Sequence, residues 1–163
     1  MLYDIYYVEA MAFFERTDLG SVRPVDCRCF VRLGEIMPLV RIDMLKKADP
    51  AFAQHVGKVV YESMKTTINV PEHDNFQILT EHDERHFIHD SNYLGIEYTS
   101  DLVIIQITLN EGRTQDQKKL LFKSIAEGLH EHLGLRMADV FVNLVEVRKE
   151  NWSFGNGIAQ YAS

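Results

Sequence analysis

Met37-Pro38 stands directly before an apolar run, Leu39-Val40-Arg41-Ile42-Asp43-Met44. A proline at the start of a polypeptide carries a secondary amine, and that amine is a base. A proline inside a chain carries a tertiary amide nitrogen with neither proton nor basic lone pair. Residues 1–36 precede Met37 here, so the chemistry open to Pro38 depends on where the working chain starts. Start at Met37 and removal of that Met would free the amine. It could then take a proton from carbon alpha to a carbonyl and return it elsewhere, which is keto–enol tautomerisation. An apolar pocket and a neighbouring cation would each disfavour the ammonium form and bring the base toward neutrality. The plainer reading is a proline at the first residue of a strand, where its missing N–H costs little.

Arg113 is the second candidate, in Glu111-Gly112-Arg113-Thr114. A guanidinium holds a carboxylate or the oxygen of a 2-keto acid through two parallel hydrogen bonds, and it can stabilise a developing enolate. The alternative is a surface arginine at a helix N-terminus, a poor place for a cation because of the helix dipole. His82, His86 and His89, with Asp83 and Asp90, have spacings that partly suit a metal. They lack an apolar stripe and a second ligand cluster, so a solvated loop is expected, with no metal and no cofactor. His130 and His132 are expected to face solvent. Cys27 and Cys29 read as two free thiols rather than a metal or redox pair. Neither a Gly-rich phosphate loop nor a nucleophile elbow is present.

The elements that would position these groups follow from periodicity. Residues 38–44 read as a buried strand. Asp49 and Pro50 open a helix carrying Phe52, Val56, Val59, Val60 and Met64 on one face, and Asn69-Val70-Pro71 closes it. Residues 76–80 read as a second strand. The order then returns: a strand over 102–107, a helix from Thr114 with Leu121, Ile125, Leu129 and Leu133, Gly134 at its end, and a strand over 140–145. Asp74, Phe76, Leu79 and Glu81 match Asp139, Phe141, Leu144 and Glu146, each 65 positions later. Leu39-Val40 match Leu102-Val103 at a separation of 63, which puts Asp101 in the place of Pro38 and implies a small insertion in one helical segment.

The chain is therefore read as an α+β, two-layer fold of duplicated β-α-β units. Each unit has parallel strands, and together they form a four-stranded sheet with two helices on one face. Unit one spans 38–80, a polar connector 81–100, unit two 101–148 and a carboxy-terminal hairpin 149–163. The uncovered sheet face is expected to be apolar at alternate positions and so to need a partner.

A duplicated β-α-β chain beginning at proline resembles the tautomerase superfamily. The resemblance spans essentially 38–163. It rests on Met37-Pro38-Leu39-Val40, Val70-Pro71-Glu72-His73-Asp74, Gly112-Arg113-Thr114 with Gln117-Lys118, and Asn151-Trp152-Ser153-Phe154-Gly155. Within the superfamily the chain is most similar to the malonate semialdehyde decarboxylase group. The resemblance implies a homotrimer with one proline-bearing pocket per subunit, and Pro38, Arg113 and Asp74 as catalytic residues. Asp74 would orient a water or the substrate, although its match at Asp139 also suits a turn cap. Trp152 and Phe154 would form the pocket wall or pack at an interface. In the decarboxylase group two arginines flank the turn; Glu111 occupies the partner position here, where a carboxylate would repel an anionic substrate.

The expected activity is cofactor-independent proton transfer on a small anionic keto or enol carboxylate. The alternatives are decarboxylation or hydration of a 3-oxo acid, and a non-catalytic trimer in which residues 1–37 block Pro38. Gly34-Glu35 could be encoded by a purine-rich ribosome-binding site just upstream of Met37, so residues 1–37 are read as a leader of doubtful status. Net charge is −7, with 17 Lys+Arg against 24 Asp+Glu. That balance argues against a nucleic-acid partner. No apolar run is long enough to cross a bilayer, and a cytoplasmic location is expected.

Overall fold

The computed structural model describes residues 37–161. The chain divides into two units, Met1–Arg32 and Leu33–Ser163, and the described residues belong to the second. The expectations for the leader and for Cys27 and Cys29 lie outside the described residues.

Strand β1 (Leu39–Leu45) leads through α1 (Phe52–Ile68) to β2 (Phe76–His82). A short ribbon, β3 (Asn92–Tyr93) with β4 (Ile96–Glu97), occupies the connector. Strand β5 (Val103–Asn110), helix α2 (Gln115–Leu133) and strand β6 (Val140–Val147) repeat the first unit. The sheet order is β2-β1-β5-β6. β1 pairs parallel with β2 and β5 parallel with β6, while β1 and β5 meet antiparallel. Parallel pairing within each unit follows from the helical crossover. The antiparallel centre is what a pseudo-two-fold axis between two such units requires.

Both helices cover one face. Val40, Ile42 and Met44 from β1 and Val103, Ile105, Ile107 and Leu109 from β5 meet Val56, Val60 and Met64 of α1 and Leu121, Ile125 and Leu129 of α2. All thirteen of these side chains are completely buried, so alternate strand positions and one stripe of each helix make a single core. The helices touch through Ser124 and Ser63, whose hydroxyls lie 3.1 Å apart, and through Gly128 against Val59.

The helix ends have visible causes. Asp49 Oδ1 accepts from the Ala51 N–H at 2.9 Å in the turn that leads into α1, and left-handed Asn69 ends that helix. Thr114 and Gln117 form a reciprocal capping box on α2, and Gly134 at φ 67° closes it.

Three expectations are corrected. Leu39 faces Phe76 and Ile104 faces Phe141, a separation of 37 positions in each unit. The repeat is therefore 65 throughout, with no insertion, and the counterpart of Pro38 is Val103. Asp101 lies two residues before β5 and pairs with Lys47. Next, the sheet face away from the helices is mixed. Phe76, Ile78 and Phe141 are exposed on it, but Arg41, Gln106 and Asn143 make its middle polar, and Gln106 Nε2 donates to Asn143 Oδ1 at 3.0 Å. Finally, the tail over 149–161 has no paired strands. A 3-10 turn at Lys149–Asn151 leads into a loop closed by Gln160, which accepts from Phe154 N–H and donates to the Gly155 carbonyl.

Candidate active site

The register fixes which residues can meet. Leu39, next to Pro38, pairs with Phe76 on one side and Thr108 on the other. Asp74, two residues before Phe76, and Asn110, two residues after Thr108, therefore lie at the same end of the sheet as Pro38. Arg113 follows from β5 at that end, and Trp152 follows from β6, whose Val147 pairs with Asn110. Pro38 is buried.

Asp74 is delivered by the turn between α1 and β2. Its N–H donates to the Pro71 carbonyl at 3.3 Å. The Tyr61 hydroxyl donates to that same carbonyl at 3.1 Å and accepts from His73 N–H at 3.1 Å. His73 itself sits at φ 69°, a left-handed conformation that needs such support. Asp74 Oδ1 is buried and has no hydrogen-bond partner among the described residues. Burial pushes its carboxyl up to about 6, because desolvation disfavours the charged form.

The matching Asp139 is different. It is fully buried, accepts from Thr99 N–H at 2.7 Å and Thr99 Oγ1 at 2.8 Å, and receives Arg136 at 3.3 Å. Thr99 belongs to the connector, which only unit two follows. One copy of the aspartate is thus a satisfied turn cap, while the other keeps an unmatched oxygen.

Arg113 is positioned by the turn from β5 into α2. Gly112 at φ 118° lets the chain reverse, and the Thr114 cap fixes the next residue. Arg113 Nη1 donates to the main-chain carbonyl of Asn110. Its Nη2 is buried with no hydrogen-bond partner among the described residues. Burial lowers the guanidinium's proton affinity, and the carboxylate of Glu146 opposes that shift. Glu146 Oε2 is itself 2.6 Å from Lys118 Nζ.

Trp152 donates its indole N–H to Asn110 Oδ1 at 2.8 Å and stacks on Phe154 with centroids 5.6 Å apart and planes 21° apart. Phe154 meets Tyr161 edge-on at 5.0 Å. Arg113, Trp152 and Phe154 therefore form one connected group through Asn110, a residue that the sequence reading passed over. The available signal was a polar side chain closing the run Val-Ile-Ile-Gln-Ile-Thr-Leu-Asn just before the Glu111-Gly112 turn. Glu111, by contrast, is exposed, and its N–H donates to the Val147 carbonyl at 3.0 Å.

The connector histidines have local partners. His82 Nε2 lies 2.7 Å from Asp43 Oδ1 at the opposite end of the sheet, His86 is 2.9 Å from Asp83, and His89 Nδ1 is 3.1 Å from the Asp90 carbonyl. His130 and His132 are exposed on α2.

A family model described as "Tautomerase enzyme" matches residues 74–155. The chain is 41% identical over 124 residues to Probable tautomerase YusQ of Bacillus subtilis (strain 168), covering 76% of this chain and 98% of that protein. It is 47% identical over 47 residues to a 2-hydroxymuconate tautomerase of Pseudomonas putida, covering 29% of this chain and 75% of that one. Among solved structures it is similar to an FG41 malonate semialdehyde decarboxylase inhibited by 3-bromopropiolate, with TM-score 0.69 and 33% identity. That match covers 76% of this chain and 93% of the other. The chain belongs to the tautomerase family. Among the described residues no helix is long and apolar enough to cross a membrane.

Proposed function

We propose that this chain is a cofactor-independent tautomerase that moves a proton between carbon and oxygen of a small 2-keto or enol carboxylate. Pro38, as a free secondary amine, is the general base and then the general acid. Arg113 holds the carboxylate through its unpartnered Nη2, and Asp74 polarises the reacting carbonyl or orients a water. Trp152 and Phe154 wall the pocket and keep water from the base. One observation supports this reading: two buried polar atoms, Asp74 Oδ1 and Arg113 Nη2, lack partners among the described residues at the sheet end where Pro38 lies. Unpaired buried polar groups cost roughly 1–3 kcal/mol each, and a ligand that pairs them recovers that cost. The similarity to a 2-hydroxymuconate tautomerase also favours enol chemistry.

The working form then begins at Pro38. YusQ is covered almost whole by 76% of this chain, which leaves a remainder about the size of residues 1–37. Intact mass of protein from the native host tests this directly, and a mass retaining Met1 would remove the free amine. The assay is turnover of phenylpyruvate enol by Pro38→Ala and Arg113→Ala. Pro38→Ala is expected to lose about 100-fold or more in kcat, and Arg113→Ala about 10- to 100-fold in kcat/KM, mainly through KM. Wild-type rates in both variants would end the mechanism.

A second reading, decarboxylation or hydration of a 3-oxo acid with the same residues, is favoured by the 33% identity to a malonate semialdehyde decarboxylase. Product analysis with malonate semialdehyde separates it from the first. We assign the same molecule to a homotrimer in the cytoplasm, with one pocket per subunit and neither a nucleic-acid nor a membrane partner.

A further inference from the structure

We infer that Asn110 is a positioning residue that holds Arg113 by its main-chain carbonyl and Trp152 by its side-chain amide, so that the amide sets where the indole wall stands beside the guanidinium that grips a carboxylate. This rests on the tautomerase reading for the identity of the ligand. Asn110 closes β5 and is 3% exposed, so its polar atoms need partners inside the protein. Its Oδ1 accepts the indole N–H of Trp152 at 2.8 Å. Its main-chain carbonyl accepts Arg113 Nη1. A guanidinium is planar, so fixing one terminal nitrogen against a strand carbonyl also fixes the direction of the other. That other nitrogen, Nη2, is the one left buried and without a partner among the described residues. The indole is held at one side of the same residue and carries Phe154 with it by stacking.

Side-chain type matters here. An amide oxygen accepts from the indole without bringing a charge. A carboxylate in its place would still accept from the indole, but it would draw the neighbouring guanidinium away from substrate. An apolar residue would leave the indole N–H buried and unpaired.

The test uses the chain beginning at Pro38 and two variants, Asn110→Leu and Asn110→Asp. Trp152 is the one tryptophan of the sequence, so intrinsic fluorescence reports on it alone. Asn110→Leu is expected to shift the Trp152 emission and to raise KM for phenylpyruvate enol about tenfold or more, with kcat changed less. Asn110→Asp is expected to raise KM similarly. Adding Trp152→Phe to Asn110→Leu should then cost less than Trp152→Phe costs the wild type, because the bond is already gone. Unchanged emission together with unchanged KM in Asn110→Leu would overturn the inference. If Asn110→Leu does not fold, a wild-type KM in Asn110→Asp overturns it instead. Emission and quenching by phenylpyruvate need no turnover. An Asn110→Leu chain whose emission and phenylpyruvate quenching both match the wild type therefore counts against Asn110, whereas inactivity of the wild-type chain on every enol counts against the tautomerase reading alone.

Discussion

The two copies of one aspartate behave differently because their neighbours differ. Asp139 is held by Thr99 and Arg136, whereas Asp74 has desolvation without a partner for Oδ1 among the described residues. The folded-state pKa of Asp74 is raised, so folding holds its proton more tightly than the unfolded chain does. Stability linked to this group is greatest below pH about 4 and falls as pH rises toward about 6, above which the full penalty of the buried charge remains. Asp74→Asn removes the titration. Its Tm should exceed the wild type's at neutral pH, and the difference should shrink through the window from pH 6 down to pH 4. A difference that stays constant with pH would show that Asp74 is not the group responsible. The same substitution should remove a limb with an apparent pKa near 6 from the kcat/KM profile.

At the scale of elements, helices hold the site from behind. Tyr61 of α1 supplies one hydroxyl that ties Pro71 and His73 together. Tyr61→Phe should destabilise the protein by about 1–2 kcal/mol in urea unfolding, the loss of two ordinary hydrogen bonds. It should also lower kcat/KM, because the turn that presents Asp74 loosens. Unaltered kinetics would separate that turn from the site. Helix contact sets a second constraint. A Cβ on Gly128 would meet Val59 Cγ1 at 2.8 Å. Alanine gains about 1 kcal/mol of helix propensity, but overpacking costs about 1–3 kcal/mol, and the β-branched Val59 has few rotamers with which to yield. Gly128→Ala should therefore be destabilising by about 1 kcal/mol, and a higher unfolding midpoint would mean the helices can separate cheaply.

For the whole molecule, the proposed trimer would use the sheet face away from the helices. Phe76, Ile78 and Phe141 are exposed there beside the polar strip of Arg41, Gln106 and Asn143. Exposed rings are side chains that interfaces bury, and a polar strip between them would need hydrogen-bond partners across the contact. Sedimentation equilibrium is expected to give a trimer, and Phe76→Asp to shift it toward monomer with lower activity. A wild-type monomer at micromolar concentration that turns over substrate would remove the trimer from the proposal.

Much of this was legible in the order of residues. Period-two strands, period-3.6 helices and the recurrence of Asp74-Phe76 as Asp139-Phe141 are properties of the chain itself, because a sheet and a helix each bury one face. Thr114 and Gly134 mark the ends of α2 for equally local reasons. Three-dimensional packing decided the rest. The uniform repeat of 65 emerged only from strand register, since hydrophobic alternation looks the same after a shift of two residues. Whether an aspartate is satisfied depends on a threonine far along the chain, and spacing carries no trace of it. The link from Arg113 through Asn110 to Trp152 joins a strand end, a turn and a tail, so no single segment contains it. Sequence settled which faces must be buried; tertiary structure decided which polar atoms were left without partners, because that depends on what non-adjacent segments bring to the same place.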